Sequence, residues 1–331
     1  GRRRTDTMTD AALDRPESRL AEFPISFFAI PMGLAGTTLA TRAAGHALGF
    51  GDGPSIAFLF ATVAAFVAIA VLYAAKAALH PAAVLAEWRH PVRIAFFPAI
   101  SIGLLLVATA SAPHAPLLAE WIWGVATALQ AVLVLAVITA WIGHRPFQPV
   151  HLSPAWFIPA VGNVVVPVAG APFGHVELSW LFFTAGILFW IVLLTLVFNR
   201  LVFHDPLPAR LAPTLVILTA PPAVAFVAWL RLGGEVDPFA RILLNAGYIF
   251  LAIVAIQATK FLRLPFALSF WALSFPVAAL AIASFLFAER TGSAFHEGLG
   301  LALWAALLAI VAGLAARTVV AIARGEICKP E

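Results

Sequence analysis

Five phenylalanines stand at or near prolines in otherwise apolar stretches: Phe28 with Pro31, Phe97 with Pro98, Phe157 with Pro159, Phe226 with Pro222, and Phe275 with Pro276. Residues of these types do no covalent chemistry. A phenyl ring projecting into a narrow path closes it by bulk and by excluding water. A proline inside a helix removes one backbone hydrogen bond and kinks the helix. The chemistry on offer is therefore obstruction of a passage, with Phe28, Phe97, Phe157 and Phe226 as candidate pore-lining residues. Catalytic constellations do not emerge. His80, His90, His144, His151 and His204 fall near the ends of apolar runs, and no histidine pair has the i, i+4 spacing within a run that haem or zinc needs. There is no HExxH, no paired carboxylate inside an apolar run and no glycine-rich phosphate loop. Gly233-Gly234 reads as a turn, and Glu235 and Asp237 read as solvated charge or a helix cap. The single cysteine, Cys328, allows no intramolecular disulfide. The sequence is read as that of a non-enzyme without metal or cofactor.

The elements that must hold those rings are set by composition. Of 331 residues, 62% are hydrophobic and 11% charged, against about 25% charged in soluble domains. The charges cluster between apolar runs of roughly 20 residues, the length of a helix that crosses a bilayer. Backbone groups must be satisfied inside lipid, so such runs are helices. Ten spans are expected, at 23–45, 55–79, 91–111, 117–142, 153–171, 176–199, 211–231, 238–260, 265–287 and 298–323. The breaks are short and rich in Pro and Gly, which makes consecutive helices antiparallel neighbours. Residues 1–22 and 324–331 read as cytoplasmic tails around a transmembrane domain at 23–323.

Sixteen of the 20 basic residues fall on one side of this ten-helix arrangement, leaving Arg42, Arg231, Arg241 and Arg290 on the other. That bias places both termini in the cytoplasm, here of a bacterial inner membrane. The formal charge of +4 is spread over loop ends with no aromatic-interleaved patch, so nucleic acid is not an expected partner. Lipid is.

The odd-numbered spans share the prolines. The steps from Pro31 to Pro98, Pro159, Pro222 and Pro276 are 67, 61, 63 and 54 residues, a helical hairpin repeated five times in one orientation. Five kinked helices alternating with five plain ones predict a quasi-fivefold bundle with a central pore, the odd helices inside. Small and mildly polar residues of the odd spans, among them Gly33, Gly36, Ser101, Gly162, Asn163 and Ser284, either allow close packing or line the pore.

The segments Phe28-Ala29-Ile30-Pro31-Met32-Gly33-Leu34-Ala35 and Trp271-Ala272-Leu273-Ser274-Phe275-Pro276 resemble the tellurite-resistance/dicarboxylate transporter family, which includes bacterial TehA and the slow anion channels of plant guard cells. The resemblance covers essentially the whole membrane region. It implies a ten-helix bundle whose inner helices form the pore, assembled as a homotrimer. It also implies that Phe275, just before the proline of the ninth span, is the pore gate.

The predicted pore is nearly free of charge, with Arg42 and Arg317 read as interface anchors. A neutral path suits small inorganic anions such as chloride and nitrate, selected by dehydration cost and width. The expected function is an anion channel. The alternative is a secondary transporter of oxyanions or C4-dicarboxylates, for which an ionisable group near the midplane is expected and none is found. A membrane-embedded enzyme, the third class, lacks a nucleophile, acid or metal site.

Overall fold

The computed structural model describes residues 18–143, 147–261 and 263–329. Residues 1–17 of the predicted N-terminal tail, the last two residues, His144 and Arg145 lie outside the described residues. Among the described residues the chain is helical throughout, with no strand. Its α-helices are α1 (Ala29–Leu48), α2 (Gly53–Leu79), α3 (Pro81–Arg89), α4 (Ala99–Ser111), α5 (Pro116–Ile142), α6 (Phe157–Gly170), α7 (Val176–Phe203), α8 (Ala220–Arg231), α9 (Pro238–Phe261), α10 (Ser274–Thr291) and α11 (Ala294–Ala323). Among the described residues eight helical stretches are long and apolar enough to cross a membrane, so the chain is a multi-pass membrane protein. The first and fifth expected spans are not among the eight. Glycines, threonines and Arg42 dilute the apolar character of α1, and the stretch Pro154–Gly170 is shorter than the others.

Short 3-10 segments precede α1, α4, α6, α8 and α10: Ile25–Phe28, Arg93–Phe96, Pro154–Trp156, Ala209–Thr219 and Leu268–Leu273. The repeat prolines mark these junctions. Pro31, Pro159, Pro222 and Pro276 are each the third residue of their α-helix, and Pro98 is the residue just before α4. The first N–H groups of an α-helix have no partner within it, so proline there forfeits no α-helical hydrogen bond. The sequence reading has these prolines kinking continuous helices. The structure has a change of helix type at each instead, and Pro167 is a proline inside α6.

Burial separates two classes of helix. In the most apolar 18 residues of Arg93–Ser111, Ala209–Arg231 and Leu268–Thr291, 78%, 83% and 94% are buried, whereas the same share in α2, α5, α7, α9 and α11 lies between 17% and 33%. Contacts among the buried helices run α1 to α4, α4 to α6, α6 to α8, α8 to α10 and α10 back to α1, closing a cycle. Each exposed helix packs on the buried helix before it and on the one after it: α2 on α1 and α4, α5 on α4 and α6, α7 on α6 and α8, α9 on α8 and α10, and α11 on α10 and α1.

Uncharged hydrogen bonds pin the layers together. Thr38 and Thr62 join α1 to α2 at 3.2 Å, Tyr248 and Ser284 join α9 to α10 at 2.6 Å, and Trp304 Nε1 donates to Thr41 Oγ1 at 3.1 Å. Ser101 Oγ donates to Gln130 Oε1 at 2.6 Å, while Gln130 Nε2 donates to the Pro159 carbonyl at 3.0 Å and to Asn163 Oδ1 at 3.3 Å. Pairs of this kind contribute about 0.6 kcal/mol each within membranes. Ser101 and Asn163 are thus spent on packing, and Gly162 leaves the room that the Gln130 amide fills.

A fully buried ion pair was not anticipated. The sequence reading makes Lys76 a cytoplasmic anchor and places Glu87 at a break, but Glu87 lies on α3, an unexpected helix. Lys76 and Glu87 are 1% and 2% exposed. Glu87 accepts from Lys76 Nζ at 2.8 Å, from the Tyr73 hydroxyl at 2.7 Å and from the Ile25 amide at 3.0 Å. Lys76 also donates to the Phe23 carbonyl at 2.7 Å. Every strong polar atom of the pair has a partner, which is what such burial requires. The pair fastens the entry to α1 onto α2 and α3.

Candidate functional site

The entry to α10 is held from both sides. Trp271 Nε1 donates to Thr318 Oγ1 of α11 at 2.9 Å, and Ser274 Oγ donates to the Trp271 carbonyl at 2.6 Å. The residue that follows, Phe275, is 4% exposed. Its ring rests against Gly36 of α1: a Cβ added there would lie 3.2 Å from Phe275 Cδ2 and 3.0 Å from Ala278 Cβ. Gly33, one turn earlier, faces Ser274 and Trp271 just as closely. These two glycines let α1 and α10 approach until the ring has a hard backing.

Phe275 lines two cavities at once. One, of about 450 Å³, lies among the C-terminal halves of the five buried helices, lined by Leu39 and Arg42 of α1, Leu106 and Thr109 of α4, Val165 and Val168 of α6, Val224 and Arg231 of α8, and Ala279 and Leu286 of α10. The other, of about 20 Å³, lies among their N-terminal ends and preceding segments, lined by Ala29, Met32, Phe96, Ile102, Ile158, Val161, Ile217, Ala220 and Ala272. All five units contribute to each. The small cavity has no polar side chain. Phe275 is the side chain that both cavities share.

The other four predicted phenylalanines line neither cavity. Phe28 packs edge-on to Phe66 and Tyr73, Phe97 against Trp88 and Tyr73, and Phe226 against Phe287. Phe157 is fully buried in the core. Neighbouring residues take the lining positions, Phe96 rather than Phe97 and Ile158 rather than Phe157. Distance from the proline differs between the five units, and one step along a helix turns a side chain by about 100°. Proximity to a proline therefore says little about direction.

The large cavity carries charge that the sequence reading left outside it. Arg42, taken as an interface anchor, and Arg231, taken as an outlying basic residue, both line it, as do His46, Glu289 and Glu297. Arg231 closes the last turn of α8 and Arg42 sits near the end of α1. Both lie in the C-terminal half of a proline-bearing helix of the repeat, and that position is the signal in the sequence that could have found them. Arg317, by contrast, is exposed on α11. Asp237 Oδ1 accepts from the Ala240 amide at 2.8 Å, the helix cap expected of it, and Gly233 turns the chain at φ 93°. Among the described residues no cluster of His, Cys, Asp and Glu has the makings of a metal site.

Chemically, the arrangement offers two largely aliphatic spaces that share Phe275, with charged side chains of both signs, Arg42, Arg231, Glu289 and Glu297, at the wider one. The family described as voltage-dependent anion channel, SLAC1, matches residues 22–319. The S-type anion channel SLAH3 of Arabidopsis thaliana is 28% identical over 309 residues, covering 91% of this chain and 48% of its own. The guard cell S-type anion channel SLAC1 of the same plant is 25% identical over 288 residues, 82% of this chain and 50% of its own. The tellurite resistance protein TehA homolog of Haemophilus influenzae is 27% identical over 278 residues, 83% of this chain and 82% of its own. The chain thus spans about half the length of these plant relatives and most of the bacterial one. The resemblance carried by the proline-centred segments is to this same group of proteins.

Proposed function

The chain belongs to the SLAC1 voltage-dependent anion channel family, and on that premise we propose that it conducts small anions, chloride and nitrate among them, through the middle of the α1–α4–α6–α8–α10 cycle, with Phe275 as the gate. The observation that carries the proposal is that Phe275 lines both cavities. A ring buried at that point blocks water and ion together, and the small apolar cavity beside it adds a dehydration barrier. No carboxylate lines the narrow cavity, so nothing there stabilises a cation. Ten helical units in five hairpins complete the path, the two that fall short in length or hydropathy being shielded by the others. The cyclic contact pattern supports this fivefold reading. Placement in a bacterial inner membrane with both termini cytoplasmic, and assembly as a homotrimer, belong to the same proposal.

Similarity to the tellurite resistance protein homolog keeps coupled transport of oxyanions or dicarboxylates as the second reading. Reversal potentials separate the two. Purified protein carrying Phe275→Ala, in planar bilayers under a chloride gradient, is expected to give currents that reverse at the chloride potential and ignore the proton gradient. Currents that follow the proton or sodium gradient, or flux that saturates without any current, would place the protein with the transporters.

A further inference from the structure

The wide cavity holds two guanidinium groups for which the gate has no use. Arg42 comes from α1 and Arg231 from the end of α8, and α10 is the helix that contacts both. Among the described residues, neither side chain donates a hydrogen bond. Arg42 Nε stands 3.9 Å from Asp52 Oδ1, an acceptor it shares with His46 Nε2 at 3.5 Å. Arg231 has no described carboxylate within ion-pair distance. Unspent guanidinium donors beside an apolar-walled space are set up for an incoming anion, since low-dielectric walls focus their field. The planar fork of arginine matches anions that present two oxygens in a plane, and guanidinium gives up its water more readily than ammonium does.

We propose that Arg42 and Arg231 form an anion-binding site in this vestibule, selective for small planar oxyanions and carboxylates, nitrate being the simplest. Glu289 and Glu297 face the same space. They keep occupancy weak and disfavour dianions, as suits a site that must release its ion toward the gate. Any part the site plays in flux rests on the channel reading, whereas binding itself does not.

Line broadening of the ³⁵Cl resonance by detergent-solubilised protein reads weak anion binding without any need for conduction. Sodium nitrate and sodium succinate at constant ionic strength serve as competitors. Nitrate is expected to displace the broadening more effectively than succinate. Arg42→Gln and Arg231→Gln should each weaken it about three- to tenfold, the loss of one charge-assisted contact. The double variant should abolish it, and Glu289→Gln should strengthen it. Arg231→Lys separates charge from shape: chloride broadening survives while the preference for nitrate falls. Folding of each variant is checked by its unfolding transition in mixed detergent–dodecyl sulfate micelles, followed by tryptophan fluorescence. Broadening that persists in a folded double variant, or that succinate displaces better than nitrate, overturns the site and leaves the channel standing. Binding as described, with no current in any Phe275→Ala protein, upholds the site and removes the channel.

Discussion

Replacing Glu87 by alanine takes away the acceptor of three hydrogen bonds, from Lys76 Nζ, the Tyr73 hydroxyl and the Ile25 amide. Lys76, 1% exposed, is left with the Phe23 carbonyl alone. An uncompensated buried ammonium is the costliest part, and breaking a buried pair from one side costs about 3–5 kcal/mol. Adding Lys76→Met removes the stranded charge and fills its volume with an apolar chain. What then remains is the unpaired Ile25 amide, Tyr73 hydroxyl and Phe23 carbonyl, about 1–3 kcal/mol for a buried group that loses its partner. The double variant is therefore expected to be more stable than Glu87→Ala itself. Unfolding in mixed detergent–dodecyl sulfate micelles, followed by tryptophan fluorescence, measures both, and Trp88 sits beside the perturbed residue. A Glu87→Ala protein within about 1 kcal/mol of wild type, or a double variant whose loss is the simple sum of the singles, would refute the reasoning. The consequence for the proposed gate lies at the entry to α1, where Phe23 and Ile25 lead into the helix whose Gly36 backs Phe275.

Two further substitutions probe the packing around Phe275 and between the helices of the cycle. Gly36→Val drives methyl groups into Phe275 and Ala278, which stand at contact distance from a bare Cβ. It should cost about 1–3 kcal/mol by overpacking, and Phe275→Ala in the same protein should recover most of that stability in the same unfolding assay. Gln130→Leu removes the donor to Asn163 Oδ1 and the Pro159 carbonyl in a fully buried site, while Ser101 keeps the Pro98 carbonyl. The expected loss is about 1–3 kcal/mol, with little change in anion selectivity, because Gln130 lines neither cavity. A selectivity change in a folded Gln130→Leu channel would place the conduction path through α4–α5 rather than through the cycle.

Much of the architecture could be read from the chain because hydrophobic length and proline spacing are local signals. The run from Phe23 to Gly45 and its four proline-bearing counterparts predicted which helices are buried. Burial of 94% of the most apolar 18 residues of Leu268–Thr291, against 17% of those of α2, follows that division. What the prolines do was less legible, since a 3-10 segment and an α-helix share the same apolar composition and differ in hydrogen-bond register. The pair Lys76–Glu87 stayed hidden because a charged residue at a helix end looks the same whether it faces water or its partner. Only the fold of α3 against α2 decides which. Arg42 and Arg231 escaped for a related reason: one lies in the second half of α1 and the other ends α8, and whether that part of a helix faces lipid headgroups or a shared vestibule depends on closure of the cycle. For the phenylalanines the obstacle was angular. Phe97 and Phe96 are adjacent in sequence, yet Phe96 lines the small cavity while Phe97 packs on Trp88.

The central claim is that one ring, Phe275, closes the path between the two cavities. Single-channel or macroscopic chloride conductance of purified protein in planar bilayers, compared across wild type, Phe275→Leu and Phe275→Ala with insertion verified, tests it most directly. The account predicts conductance rising as the side chain shrinks, with Phe275→Ala at least about tenfold above wild type, the change given by a barrier lowered by roughly 1.4 kcal/mol. Equal conductance in all three proteins would contradict it.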